Sequence, residues 1–254
     1  MLKGKTIVNF GDSIFGNFRA PEDISSFIEE RTGAKVYNVG FGGCRMAKHV
    51  LAQFGRFSMY KLADAITKRD FSAQDEAFDL EPIGEPLPDY FKASLELLKS
   101  IDFEKVDIIT IAYGTNDYTG QQVLDSSDKY DTDAYGGALR YSIEKIKRRY
   151  PHIKIAICSQ LYRCWRDNDG NLTDDSDSRV INGKKLTDFV EKTEEISKEY
   201  GLLFINNYLE SGINKESISK CFSKTDGAHP LPYGRMLIAE NISKRLDMLF
   251  ASEN

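Results

Sequence analysis

Three short motifs carry residue types that can act together in acyl transfer. Gly11-Asp-Ser13 supplies a hydroxyl, Gly114-Thr-Asn116-Asp supplies a side-chain amide, and Asp226-Gly-Ala-His229 supplies an imidazole with a carboxylate three residues earlier. A serine hydroxyl becomes a good nucleophile when a base takes its proton, and histidine suits that task because its ordinary pKa is about 6.5. The pattern predicts Ser13 as nucleophile, His229 as base and Asp226 as the group that orients the base.

Only one of the three histidines lies in such a context. His152 enters an apolar run and is expected on the surface, whereas His49 lies in a helical pattern. His229 lies in a turn-rich loop, with Asp226 near enough in sequence to reach its Nδ1 and leave Nε2 for the serine. The competing interpretation is that Asp226 is a turn residue that caps the helix beginning at Pro232.

Acyl transfer also needs hydrogen-bond donors at the oxygen on which negative charge develops. The candidates are the backbone amide of Ser13, the amide of Gly42 or Gly43, and the side-chain NH2 of Asn116. Glycine lets the backbone approach a substrate closely, which gives a physical reason for the glycines that follow the second apolar run. The residues alone leave the choice between Gly42 and Gly43 open.

The elements that must position these groups are apolar runs alternating with helical patterns. Five runs are typical of buried parallel strands: residues 6–10, 36–39, 106–112, 153–159 and 202–205. Amphipathic stretches occupy residues 138–150, 180–200 and 232–250. The alternation predicts an α/β fold with a five-stranded parallel sheet. Because ligands bind beyond the carboxyl ends of such strands, the motifs are expected to converge on one edge of the sheet.

Three connections, residues 45–89, 118–135 and 162–178, are longer than such a fold requires and are expected to carry function. The first is predicted to hold a helix around 47–69 and an extended proline-bearing segment at 81–88, which could fold over the site as a lid. In the third, residues 167–170 favour a hairpin turn over a calcium loop, because Trp165 occupies the first ligand position.

Composition bounds the class of protein. A chain of 254 residues with 41% hydrophobic and 29% charged residues predicts one domain spanning 1–254. The net charge of -5, with 34 basic and 39 acidic residues interspersed, argues against nucleic acid as a partner. No apolar run approaches the roughly 20 residues of a membrane span. The first residues lack the pattern of a secretory signal, so we expect a cytoplasmic protein unless a leader was trimmed.

The four cysteines show neither the density nor the spacing of a disulfide framework or a zinc site. We expect free thiols at Cys44, Cys158, Cys164 and Cys221. The chemistry predicted above needs no metal and no organic cofactor.

The motifs resemble those of the SGNH, or GDSL-like, esterases and lipases over most of the chain. The matching blocks are Gly11-Asp-Ser13, Asn38-Val-Gly-Phe-Gly-Gly43, Gly114-Thr-Asn116-Asp and Asp226-Gly-Ala-His229-Pro. The resemblance implies a flavodoxin-like three-layer α/β/α sandwich, with Ser13, Asp226 and His229 as catalytic residues and Ser13, Gly43 and Asn116 as oxyanion donors. Gly43 is chosen by counting from Asn38, because Gly42 stands where the family often has serine.

Rival motifs fail on inspection. The α/β-hydrolase elbow needs Gly-x-Ser-x-Gly, but Phe15 stands at the last position. A dinucleotide fingerprint needs glycine at position 45, where the chain has Arg45, and no phosphate-binding loop with Gly-Lys-Ser/Thr occurs.

Aromatic and polar residues in the long loops suit a small polar ester such as an acylated sugar. Asp12, Tyr118, Tyr162 and Trp165 are predicted to bind substrate, although Tyr and Trp also anchor long loops onto a protein body. An arginine of the third loop, Arg163 or Arg166, is a candidate for an anionic substrate group.

The favoured function is hydrolysis of short acyl esters, acetyl among them. The alternatives are a noncatalytic carbohydrate-binding or scaffold protein, an acyltransferase, and a lipase or lysophospholipase. The oligomeric state is left open.

Overall fold

The computed structural model describes residues 2–251 and is built on a parallel sheet of five strands. They are β1 (Thr6–Gly11), β2 (Lys35–Asn38), β3 (Ile108–Ala112), β4 (Lys154–Cys158) and β7 (Leu203–Ile205), in the spatial order β2-β1-β3-β4-β7. All five predicted strands are confirmed, each to within two residues at either end. A separate antiparallel hairpin pairs β5 (Cys164–Arg166) with β6 (Leu172–Asp175).

Helices fill the connections between strands and follow the last one. They are α1 (Ser13–Gly16), α2 (Ile24–Thr32), α3 (Ala52–Gly55), α4 (Met59–Lys68), α5 (Ser72–Glu76), α6 (Tyr90–Ser100), α7 (Thr115–Thr119), α8 (Tyr135–Arg149), α9 (Leu186–Glu199), α10 (Asn207–Glu210), α11 (Ile218–Cys221) and α12 (Pro232–Ala251). Helices α2 and α12 pack together. Helix α4 packs against α8, and α8 packs against α9. The predicted α/β fold, a parallel sheet flanked by helices, is confirmed.

The strand order creates a crevice at one edge of the sheet. The chain leaves β1 in one direction to form β2, and it leaves β3 in the other direction to form β4. Right-handed crossovers place these two connections on opposite faces of the sheet, so the loops after β1 and β3 diverge at the carboxyl ends of adjacent strands. The first loop contains Ser13 and the second contains Asn116.

The central strands are buried on both faces, which explains their continuous apolar runs. Ile7, Val8, Ile109 and Ile111 have no exposed surface. Two of the predicted helices, at 138–150 and 232–250, correspond to α8 and α12.

The predicted helix at 180–200 is too long at its start, because α9 begins at Leu186. Asn182 and Gly183 both have positive φ, and Ile181 and Lys184 exchange backbone hydrogen bonds across them. An Asn-Gly pair favours this tight turn, which a helix cannot accommodate.

The long connections are more structured than predicted. The single helix expected at 47–69 is wrong: α3 ends at Gly55, and Ser58 is extended before α4 begins. Phe57 and Leu62 are fully buried, and α4 packs against α8, so this part of the connection belongs to the protein body. Residues 81–88 form no helix or strand, and Gln53 holds them through hydrogen bonds to two of their carbonyls. The hairpin predicted around 167–170 is confirmed.

Candidate active site

Ser13 is the first residue of α1, and only Asp12 separates it from the end of β1 at Gly11. Asp12 has an extended conformation, and its carboxylate accepts the backbone N–H of Ile14 at 3.0 Å. An aspartate in this position caps the helix by accepting one of its unpaired N–H groups. The sequence therefore turns sharply between strand and helix and presents Ser13 at the crevice.

The His229 ring lies within hydrogen-bond distance of both Ser13, in the first motif, and Asp226, in the last. Its Nε2 lies 2.8 Å from Ser13 Oγ, and its Nδ1 lies 2.6 Å from Asp226 Oδ2. The other carboxylate oxygen, Asp226 Oδ1, accepts the backbone N–H groups of Ala228 and His229 at 2.8 and 3.0 Å. Asp226 therefore caps its own turn and holds the imidazole. It does not cap α12, which begins six residues later at Pro232.

The Asp226 carboxylate is held in its ionised form. Burial raises the pKa of this group, but the hydrogen bond from the His229 ring and those from the backbone amides outweigh it, so the pKa is well below the ordinary value. An ionised carboxylate at Nδ1 favours the tautomer in which Nε2 can accept the serine proton.

The loop after β2 brings glycine amides to the same crevice. The Gly42 N–H donates to Tyr90 Oη at 2.7 Å, whereas the amides of Gly43 and Ser13 donate to no group among residues 2–251. Gly43 adopts a φ of 74°, which a residue with a side chain rarely does. Of the two glycines, Gly43 is therefore the one whose amide has no partner within residues 2–251, and its role as an oxyanion donor stays a prediction.

Asn116 and Asp117 fasten α7 to this loop. Asn116 Nδ2 donates to the Cys44 carbonyl at 3.0 Å, and the buried Asp117 carboxylate accepts the backbone N–H groups of Met46 and Ala47 at 2.9 and 3.0 Å. Burial raises the pKa of Asp117 to about 6. The third motif therefore does more than supply an amide, because it also fixes the loop that carries Gly43.

Sequence reasoning missed Tyr90, the first residue of α6. Its hydroxyl accepts the Gly42 N–H and donates to Asn17 Oδ1 at 2.9 Å. Burial raises the pKa of Tyr90 to about 12, so the hydroxyl keeps its proton. A Cβ at position 42 would lie 2.6 Å from this oxygen, which gives a reason for glycine there. No local pattern marks Tyr90, because it reaches the site from the end of a long connection.

Three of the four predicted substrate-binding residues are buried. Tyr118 and Tyr162 are 1% and 3% exposed, and Asp12 is 2% exposed. The Tyr118 hydroxyl donates to the Arg179 carbonyl at 2.9 Å. A buried ring cannot stack on a sugar, and the Asp12 carboxylate is used to cap α1, so for these three residues the prediction is corrected: they pack or cap beneath the site. Trp165 keeps a half-buried ring.

The other two histidines and the four cysteines have surroundings that point to structural roles. His152 is exposed as predicted, whereas His49 lies outside any helix and its Nδ1 accepts the Leu51 N–H. Burial lowers the pKa of His49 to about 4. All four cysteines are free and buried. Among residues 2–251, no group of three or more His, Cys, Asp and Glu side chains is placed to hold a metal ion.

Within the described part of the chain, no helix combines the length and apolar character needed to cross a membrane.

Comparisons with known proteins agree with this fold. Solved structures with the same fold include a protein from Lactobacillus plantarum, at 19% identity over 98% of this chain and 99% of that one, with a TM-score of 0.67. A possible lipase from Chitinophaga pinensis is 17% identical over 96% of this chain and 98% of that one, with a TM-score of 0.60. A carbohydrate acetylesterase from Sinorhizobium meliloti is 13% identical over 97% of this chain and 100% of that one, with a TM-score of 0.59. No curated protein matches the sequence. The model of the GDSL-like lipase/acylhydrolase family matches residues 7–242, and the chain therefore belongs to this family of ester-hydrolysing enzymes.

Proposed function

We propose that the protein is a serine esterase that removes short acyl groups, acetyl first among them, through an acyl-enzyme on Ser13. The observation that carries this proposal is the position of His229, within hydrogen-bond distance of both Ser13 Oγ and Asp226 Oδ2. A nucleophile, a base and an orienting carboxylate in this order are what acyl transfer requires.

In the first half-reaction, His229 Nε2 takes the proton of Ser13 Oγ as that oxygen attacks the ester carbonyl carbon. The carbonyl oxygen becomes an oxyanion, which the amides of Ser13 and Gly43 and the NH2 of Asn116 stabilise. His229 then gives its proton to the leaving alcohol oxygen as the C–O bond breaks. In the second half-reaction, water loses a proton to His229 and attacks the acyl-enzyme, which releases the acid and restores Ser13. Asp226 stabilises the imidazolium at each step.

The preference for a small polar substrate rests on the loops beside the site. In residues 118–135 and 162–178, the exposed large apolar side chains are only Val123, Tyr130 and Leu172. Such loops offer little surface to a long acyl chain, because binding one requires a continuous apolar groove. A carbohydrate scaffold is favoured by the likeness in fold to a carbohydrate acetylesterase.

The test of the catalytic assignment compares Ser13→Ala and His229→Ala with the wild type. A fluorophosphonate probe should label the wild type and not Ser13→Ala. Hydrolysis of p-nitrophenyl acetate should fall by about three orders of magnitude or more in both variants. Ser100→Ala and His152→Ala, which change exposed residues of the same types, are the matched controls. Full labelling of Ser13→Ala would refute the assignment.

The substrate class is tested separately with esters of increasing acyl length and with acetylated sugars. We expect acetyl and propionyl esters to give the highest kcat/KM. A maximum at eight carbons or more indicates a lipase. Product analysis with an added alcohol acceptor identifies an acyltransferase by the new ester that forms, and glycan binding without hydrolysis of any ester identifies a noncatalytic protein.

A further inference from the structure

Arg163 is a cation without an anionic partner beside the proposed catalytic residues. It directly precedes β5, and its Nη1 donates to Thr115 Oγ1 at 3.1 Å. Its guanidinium carbon lies 4.7 Å from the centre of the Trp165 ring. Within residues 2–251 no carboxylate forms a salt bridge with it, and Nε has no hydrogen-bond partner. The group is thus held by a hydroxyl and an aromatic face, and several of its N–H donors are left without an acceptor.

Two contacts place Arg163 at the crevice. Thr115, to which it donates, immediately precedes Asn116, the proposed oxyanion donor. The neighbouring residue Cys164 donates its N–H to the Gly227 carbonyl at 3.0 Å, within the loop that carries Asp226 and His229. Burial lowers the pKa of Arg163, and the charges of Asp226 and Asp12 oppose this effect.

The carboxylates nearby are already used. Asp226 is occupied by His229 and by two backbone amides, and Asp12 caps α1. A guanidinium withdrawn from water is stable when a carboxylate or phosphate pairs with it, since it loses hydration that one hydroxyl does not replace. Its planar fork of N–H donors matches a carboxylate in particular. Among residues 2–251 no side chain supplies such a partner, so the partner is expected to arrive with a ligand.

We propose that Arg163 binds a carboxylate of the substrate, so that the preferred ester carries an anionic group on its acid or its alcohol part. Stacking on Trp165 fixes the plane of the guanidinium, and the bond to Thr115 fixes one edge. The inference rests on the proposed esterase function and adds the chemical class of the substrate. A binding site for an anion also contrasts with the net charge of -5, which disfavours anionic ligands elsewhere on the surface.

Two matched pairs of esters test the proposal on the whole protein. For the alcohol part, 4-acetoxybenzoate is compared with its methyl ester. For the acid part, 4-nitrophenyl hydrogen succinate is compared with 4-nitrophenyl methyl succinate. We expect the wild type to prefer the anionic member of one pair by about 10- to 100-fold in kcat/KM, the range for a hydrogen bond to a charged group. The pair that shows the preference identifies the part of the ester that carries the charge.

The variant Arg163→Gln should abolish that preference, mainly through KM, and Arg163→Lys should restore part of it because the charge returns without the planar fork. Arg166→Gln is the matched control. It removes the same charge three residues away, where the side chain donates to the Gly170 carbonyl within the hairpin turn. The preference should persist in this control.

The outcomes separate this proposal from the esterase function. If the wild type hydrolyses the neutral esters and shows no preference in either pair, the carboxylate site is refuted and the esterase stands. An equal loss for both members of a pair in Arg163→Gln also refutes the site, because it shows a structural role. No hydrolysis of any ester by the wild type refutes the function itself. If Arg163→Gln does not fold, product inhibition of the wild type replaces it: 4-hydroxybenzoate is compared with methyl 4-hydroxybenzoate for the alcohol part, and succinate with monomethyl succinate for the acid part. The product with the additional carboxylate should inhibit about tenfold more strongly in one comparison, and equal inhibition in both refutes the site.

Discussion

Tyr90→Phe removes a single oxygen, on α6, that contacts the loop carrying Gly43, and tests whether this oxygen positions the proposed oxyanion donor. In the wild type this hydroxyl accepts the Gly42 N–H at 2.7 Å and donates to Asn17 Oδ1 at 2.9 Å. Phenylalanine keeps the ring on which Arg19 stacks, with the guanidinium carbon 4.5 Å from the ring centre. The substitution therefore isolates the hydrogen bonds from the packing.

The expected magnitudes follow from those two bonds. An unpaired buried amide costs about 1–3 kcal/mol. Because Tyr90 is half-buried, water can replace part of the loss, and the free energy of unfolding should fall by about 1 kcal/mol. Complete loss of one oxyanion donor costs about 3–4 kcal/mol of transition-state stabilisation. A loop that is loosened and not displaced should lose a fraction of this, so kcat should fall by about 10- to 30-fold.

The assay measures kcat and KM with p-nitrophenyl acetate, together with urea unfolding of the same samples. KM should change by less than about twofold, since the oxyanion donors act mainly on the transition state. The matched control is Tyr141→Phe on α8, which removes a hydroxyl that donates to Asp64 Oδ1 at 3.0 Å. It should alter stability and leave kcat unchanged.

Two results would refute the reasoning about Tyr90. The first is a kcat for Tyr90→Phe within twofold of the wild type, which would show that Gly42 holds its position without the hydroxyl. The second is an equal fall in kcat for Tyr141→Phe, which would trace the effect to general loss of stability.

Three further predictions concern carboxylates at and beside the site. Asp226→Asn should lower kcat by about four orders of magnitude, because an amide cannot hold the imidazole in the required tautomer, and steady-state hydrolysis of p-nitrophenyl acetate measures this. Asp117→Ala should lower the free energy of unfolding by about 2–5 kcal/mol in urea titrations, because Met46 and Ala47 lose the acceptor of their amides. Burial raises the pKa of Asp12 from 3.8 to about 7, so the folded protein keeps a proton that the unfolded chain releases, and stability should decline as pH rises from about 4 to about 7. Asp12→Asn should remove that contribution, which unfolding at pH 5 and pH 8 compares.

The sheet and the catalytic motifs could be predicted from the sequence because their signals are local. Each strand is a mainly apolar run, and the central strands, which are buried on both faces, carry this signal most clearly. Ser13 and Asn116 follow the ends of β1 and β3 by two and four residues, so placing the strands also placed these residues at one edge. The pairing of Asp226 with His229 spans three residues and is local as well.

Long-range packing explains what the sequence did not reveal. The helix expected at 47–69 has the right periodicity, yet the break at Ser58 lets α4 pack on α8. Tyr118 and Tyr162 lie in loops whose composition is typical of a protein surface. The direction of a side chain in a long loop, however, depends on residues far away in sequence. Tyr90 meets Gly42 across 48 positions, and neither residue carries a pattern that predicts the other.

The hydrogen bond between Ser13 and His229 joins residues 216 positions apart, which has a consequence for the synthesis of the enzyme. Chains fold from the amino terminus as they are made, so β1 and its serine are present early. His229, the proposed base, is synthesised 216 residues after Ser13. A chain released between these two points contains the proposed nucleophile without the group that activates it. Products of translation that end before His229 should therefore be inert toward esters.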